Sequence, residues 1–173
     1  MVQGVVAGYP GSRLVNFGTL MFESAQSLRW VKNRDEMRKM SVERQKQLQK
    51  IAAAKIAKTK GKAVIVDTHL FIRTEEGFWP GLPFDVVRAM RPTHLVLVEA
   101  APEDIGKRRS ADTTRYRDVV TVENLREELQ LGRAFVTVAS TLTGAPITIV
   151  QNEQGKQDQV AKNLVRMLEL AKR

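Results

Sequence analysis

Five short runs of apolar, mostly β-branched residues punctuate the chain: Gly4-Val5-Val6-Ala7, Leu14-Val15-Asn16-Phe17, Ala63-Val64-Ile65-Val66-Asp67, Leu95-Val96-Leu97-Val98-Glu99 and Ile147-Thr148-Ile149-Val150. Runs that are continuous rather than alternating predict strands buried on both faces of a parallel sheet. The stretches between them carry helical periodicity. Asn33 is placed to cap a helix over Arg34 to Met40, with Glu36 positioned to reach back, and Ser41 to cap one from Val42 to Thr59. Thr121 opens Val122 to Leu142, and Asp158 to Lys172 makes a closing amphipathic helix. The alternation predicts an α/β fold, a parallel sheet of about five strands flanked by helices. Gly77 to Pro83, "GFWPGLP", has the composition of a turn-rich loop, and Ser110 to Asp118 that of a polar, arginine-bearing connection. With no repeat, low-complexity tract or linker, residues 1–173 are expected to form a single domain.

One junction breaks this pattern. If Val5-Val6-Ala7 and Leu14-Val15-Asn16-Phe17 are neighbouring parallel strands, about a dozen residues or more are needed to cross between them. The chain offers Gly8 to Arg13. The same place begins like a phosphate-binding loop, with an apolar run emptying into Gly8-Tyr9-Pro10-Gly11, yet no Gly-Lys-Ser/Thr completes it. Half a cradle and a whole crossover are thus missing together, between Gly11 and Ser12.

Composition narrows the chemistry. The 173 residues include 28 Lys+Arg against 19 Asp+Glu, a net charge of +9 that favours anionic partners. The absence of cysteine excludes disulfides, thiolate metal ligands and cysteine nucleophiles, and suits a reducing, cytoplasmic setting. No apolar run is long enough to span a bilayer, so no membrane association is expected. Arginine, whose planar fork grips phosphate bidentately, concentrates at Arg108, Arg109, Arg115 and Arg117. Such a cluster alone is more often a solvated basic loop. Asp67 ends a buried run, where an α/β sheet presents residues to its ligand crevice, and a carboxylate there can orient the water shell of Mg²⁺. His69 and His94 are far apart in the pattern and make no metal site.

From Asn16 onward the chain resembles the archaeal type of adenylate kinase, a P-loop phosphotransferase. The matching stretches are "VNFGTLMFE" (Val15 to Glu23), "NRDEMRKMSVERQKQLQ" (Asn33 to Gln49), "VIVDTHLFIRTEEGFWPGLP" (Val64 to Pro83), "DTTRYRD" (Asp112 to Asp118) and "GRAF" near Arg133. The resemblance implies a P-loop NTPase-like three-layer fold, with an acceptor region about residues 16–60 and an arginine-bearing lid about 108–118. It implies ATP, AMP and ADP as partners, Mg²⁺ with ATP, and a homotrimer. By resemblance, Arg108, Arg115, Arg117 and Arg133 act on the transferring phosphate. Gly8, Pro10 and Gly11 are the remnant of the ATP phosphate loop, Asp67 holds Mg²⁺ through water, and Asn16, Gly18, Arg38 and Arg73 meet the acceptor AMP. Phe78, Trp79 and Leu82 are candidates to wall an adenine pocket. Phosphoryl transfer suits this residue set, because it asks for positioning and charge neutralisation from several directions rather than a nucleophile.

The loop lysine and the Mg²⁺-binding hydroxyl have no replacement, so the chain as it stands is expected to be strongly impaired. Either a crossover segment that belongs to the protein is omitted, which the retention of every other part favours, or the deletion is real and the role reduced. The alternative from another class is a noncatalytic basic nucleotide- or RNA-binding module. Nucleic acid is the less expected partner, since no aromatic-rich strand face offers itself for base stacking.

Overall fold

The computed structural model describes residues 1–37, 39–74, 77–111 and 121–171. They fall into two units, Val2–Pro92 and Thr93–Arg173, with Met1 grouped with the latter.

The first unit begins with helix α1 (Val2–Gly8), followed by strand β1 (Arg13–Asn16), and helices α2 (Phe17–Ser27), α3 (Arg34–Met37) and α4 (Val42–Lys58). Strands β2 (Val64–Asp67), β3 (Phe71–Thr74) and β4 (Gly77–Pro80) and helix α5 (Phe84–Met90) complete it. β1 and β2 pair in parallel, Arg13 with Val64 through Asn16 with Asp67. A core of Phe17, Ala52, Ala53, Ile56 and Val86 gathers α2, α4 and α5, with Val15 and Val66 of the two strands packed against it. Small residues at Ala52 and Ala53 let α4 lie close to its neighbours, as interdigitated packing requires. A second cluster, Ala25, Val31 and Leu48, seats the start of α4 under Phe22, Trp30 and Met37.

The run Gly4-Val5-Val6-Ala7, expected as a strand, is helical: it lies inside α1, burying Val5 to 2% exposure. A short apolar run is ambiguous between strand and buried helix, and here topology decides. Without a crossover the segment has no way into the sheet beside β1 as a parallel neighbour, so it satisfies its backbone locally. The turn that follows is closed by Ser12, whose N–H and hydroxyl both donate to the Tyr9 carbonyl, at 3.1 Å and 2.7 Å. Gly11 takes φ +87°, a value side-chain-bearing residues rarely adopt, and its carbonyl accepts from Lys62 N at 2.8 Å.

The stretch expected as a loop at Gly77 to Pro83 is half strand. β3 and β4 form an antiparallel hairpin that pairs Ile72 with Trp79 and Arg73 with Phe78. Its base is clasped by Gly81 N donating to Leu70 O at 2.8 Å, and a side chain at Gly81 would collide with the His69 carbonyl. Gln49 of α4, almost fully buried, donates to the carbonyls of Pro80 and Gly81 at 3.2 and 3.4 Å.

The second unit runs strand β5 (Leu95–Glu99), helices α6 (Pro102–Ala111) and α7 (Val122–Thr143), strand β6 (Ile147–Gln151) and helix α8 (Gln157–Leu170). β5 and β6 pair in parallel with Glu99 opposite Gln151. α7 packs along them, burying Leu125, Val136 and Ala139, and ends at Gly144 in the left-handed conformation, φ +71°. The predicted caps form: Ser41 accepts from Arg44 N, Thr121 from Asn124 N, and at the start of α3 Asn33 Oδ1 accepts from Glu36 N while the Glu36 carboxylate accepts from Asn33 Nδ2 and from Lys32 N. Helices with parallel strand pairs give the α/β class expected, but not the single parallel sheet of about five strands: the described residues form three two-stranded sheets, because β1–β2 and β5–β6 belong to different units and β3–β4 is an antiparallel hairpin.

Candidate functional site

At the carboxyl ends of β1 and β2, the register sets Asn16 directly beside Asp67. Asn16 Nδ2 donates to Asp67 Oδ2 at 2.9 Å, while Asn16 Oδ1 caps α2 by accepting from Thr19 N at 2.9 Å and from Thr19 Oγ1 at 3.1 Å. Thr19 Oγ1 in turn accepts from Arg34 Nη2 at 2.7 Å, and the Arg34 guanidinium lies over the Phe22 ring, 5.3 Å from its centre. Four side chains from β1, β2, α2 and α3 are thereby linked in one line. Asp67 is exposed, and Asn16 occupies one of its oxygens. Gly18 opens the first turn of α2, and a Cβ there would come to 3.5 Å of Asn16 Oδ1.

Arg73 projects from β3 of the hairpin, stacked over its cross-strand partner Phe78 at 4.9 Å from the ring centre. Phe78 meets Phe71 edge-to-face at 5.2 Å, and Leu82 packs on the α2–α4–α5 core. At the chain's beginning, Gly8 is the last residue of α1, Pro10 is exposed in the turn, and Gly11 is the φ-positive corner. Arg38, Arg115 and Arg117 lie outside the described residues.

The second unit places Arg108 and Arg133 around the carboxyl ends of β5 and β6. Arg108, from α6, donates Nη2 to the Asn152 carbonyl at 2.8 Å and Nε to Gln154 Oε1 at 3.0 Å. Arg133, from α7, meets Glu99 two-pronged, Nε to Oε1 at 2.8 Å and Nη2 to Oε2 at 2.7 Å, and Gln151 Nε2 adds a third donor to Glu99 at 3.1 Å. These hydrogen bonds, the Arg133 pair foremost, hold the Glu99 carboxyl below its ordinary range against the opposing effect of burial. Arg133 is held more firmly protonated by the same contacts. Each unit therefore gathers polar groups where a parallel strand pair ends, the place at which α/β sheets bind ligands.

Among known families, residues 1–126 match one described as an AAA domain. Over 167 residues the chain is 42% identical to the adenylate kinase of Thermoplasma acidophilum, covering 96% of this chain and 90% of that relative. The adenylate kinase of Pyrococcus horikoshii is 42% identical over 161 residues, 92% of this chain and 82% of its own length. That of Methanocaldococcus jannaschii is 40% identical over 157 residues, 90% and 82%. The chain belongs to the adenylate kinase family.

Seen within the adenylate kinase family, the P-loop kinase fold expected from the motifs stands. Sequence reasoning passed over four side chains that the geometry joins to the candidates: Thr19, Arg34, Glu99 and Gln151. Two of these had a signal. Thr19 is three residues past a capping asparagine, and Glu99 ends a buried apolar run as Asp67 does. Arg34 and Gln151 carried none, since both act across tertiary contacts.

Proposed function

We propose that this chain's activity is reversible transfer of the terminal phosphate of Mg-ATP to AMP, giving two ADP. The observation that carries the reading is about 42% identity to adenylate kinases across nearly the whole chain. The polar groups at the strand ends support it. Asn16, Gly18, Arg38 and Arg73 take the acceptor nucleotide within a region of about residues 16–60. Arg108, Arg115, Arg117 and Arg133 neutralise the transferring phosphate, with residues about 108–118 as the closing lid. Gly8, Pro10 and Gly11 remain of the ATP phosphate loop, and the impairment expected from its missing lysine and hydroxyl applies.

Mg²⁺ suits the residues present. Among the described residues no group of three or more acidic or histidine side chains is clustered to cage a metal. A single exposed carboxylate, Asp67, fits an ion that keeps several waters and takes its other ligands from substrate phosphates. Bound there, Mg²⁺ supplies charge neutralisation between the phosphates. Asn16 fixes the orientation of Asp67 toward that role. The homotrimer and a cytoplasmic location belong to the same reading, and sedimentation of the purified protein tests the trimer.

The decisive experiment compares ADP formation from ATP plus AMP in a coupled assay for two proteins. One is the chain as it stands; the other carries a Gly-Lys-Ser/Thr loop and crossover helix between Gly11 and Ser12. The completed protein is expected to turn over, with the present chain slower by a factor on the order of 10² or more. A completed protein that folds yet makes no ADP overturns the proposal. Salt-sensitive RNA binding without turnover would favour the noncatalytic alternative.

A further inference from the structure

Glu99 is the carboxylate around which the second unit's strand ends are organised, and the phosphoryl-transfer scheme gives it no task. Its side chain is 4% exposed, whereas that of its partner Arg133 is 59% exposed. The pair is thus lopsided, with a carboxylate sunk among the strands and a guanidinium reaching outward from it. By contrast, Arg109 meets Glu128 through Nη2 at 2.8 Å, an ordinary link between α6 and α7. Burying a carboxylate is unfavourable unless its charge is matched and its lone pairs are filled. Arg133 and Gln151 meet both demands here.

The geometry of the fork matters most. A guanidinium carries five N–H donors, and Glu99 engages only the side formed by Nε and Nη2. Among the described residues the end formed by Nη1 and Nη2 is left, and it has the same two-pronged shape that phosphate oxygens accept. We propose that Glu99 is a positioning residue: it holds Arg133 by the Nε–Nη2 side of the guanidinium so that the adjoining Nη1–Nη2 end is fixed for a nucleotide phosphate, with Gln151 steadying Glu99 from the neighbouring strand. A lone arginine on a helix would spend many rotamers away from the phosphate, and the buried carboxylate removes that freedom before substrate arrives. Glu99 itself touches no substrate, and the inference rests on the reading of Arg133 as a phosphate ligand.

ATP binding by titration calorimetry tests this on the chain as it stands, without requiring turnover. Arg133→Ala is expected to weaken ATP binding about tenfold or more, the scale of losing hydrogen bonds to a charged group. Glu99→Gln keeps the size of the side chain and should weaken ATP by a similar factor. The double variant should bind no worse than Arg133→Ala alone, because Glu99 acts only through Arg133. Glu99→Asp keeps the charge but withdraws the carboxylate by one methylene; it should fall between parent and Glu99→Gln, and it decides the matter if Glu99→Gln fails to fold. The Arg133 Nε–H resonance, slowed in exchange by Glu99, should revert to solvent-like exchange in Glu99→Gln. If Glu99→Gln and Glu99→Asp lower the melting temperature yet bind ATP like the parent, while Arg133→Ala binds weakly, Glu99 is structural and the positioning role is overturned. If Arg133→Ala binds ATP like the parent, the phosphate role of Arg133 falls first, and the inference with it.

Discussion

Replacing Asn16 separates two jobs that one side chain performs. Its Oδ1 caps α2 through Thr19 N, and its Nδ2 holds Asp67. Loss of an asparagine cap costs about 1 kcal/mol. The exposed hydrogen bond to a carboxylate adds about 0.5 kcal/mol, discounted because solvent competes at the strand ends. Asn16→Ala should therefore destabilise by about 1.5 kcal/mol. Asn16→Ser keeps a capping oxygen but is too short to hold Asp67, so it should lose only about a third of that. With a urea slope of about 1–3 kcal/mol per molar, the Asn16→Ala midpoint falls by about 0.5–1.5 M. Equilibrium unfolding followed by circular dichroism reads the midpoints. Hydrogen exchange at the Thr19 amide reads the cap directly, and it should speed in Asn16→Ala but not in Asn16→Ser. If Ser and Ala are equally destabilising, or if Ala lies within about 0.5 kcal/mol of the parent, the usual scatter of surface substitutions, the double role is wrong.

Three further outcomes follow from packing and charge. Leu48 is completely buried, and Leu48→Ala should cost about 2–5 kcal/mol in the same urea experiment, against almost nothing for exposed Leu28→Ala. Gly81→Ala forces a methyl into the His69 carbonyl; backbone cannot yield as a side-chain tip does, so melting should drop sharply and the hairpin amides should lose protection. The Glu99 carboxyl is held below its ordinary range by Arg133, so its contribution is complete above the unfolded carboxylate pKa and is lost as pH falls through the folded value. Urea midpoints measured from about pH 7 to about pH 3 should decline more for the parent than for Glu99→Gln, and equal slopes would refute the assignment.

How far these features were legible in the chain depended on whether their causes are local. The caps at Ser41, Asn33 and Thr121 were predictable because each needs only a polar side chain three residues from its donor. The parallel pairs β1–β2 and β5–β6 were announced by their unbroken apolar runs. The β3–β4 hairpin was hidden. Phe71-Ile72-Arg73-Thr74 is too short to show its alternation, and Gly77, Pro80 and Gly81 speak for turns, yet Pro80 closes a strand whose register Gln49 fixes from α4. α1 was misread because Val5 and Val6 favour strands, and only the length of the following segment, a nonlocal constraint, forbids one. At the site, Asp67 and Arg133 could be picked out one by one from motif and position. The pairings could not: Asn16, a candidate in its own right, meets Asp67 across 51 residues, and Glu99 meets Arg133 across 34.

The clasp between Leu70 and Gly81 has a consequence for how this chain can vary. Because Gly81 N returns to Leu70 O and, among the described residues, the strands between pair only with each other, the hairpin enters and leaves the unit at almost one point. Residues can be exchanged, lengthened or shortened inside it without moving Asp67, which sits three positions before the clasp. Arg73 travels with the exchangeable part. A protein built this way can retune what its hairpin contacts while the strand end behind it stays fixed, provided position 81 remains glycine.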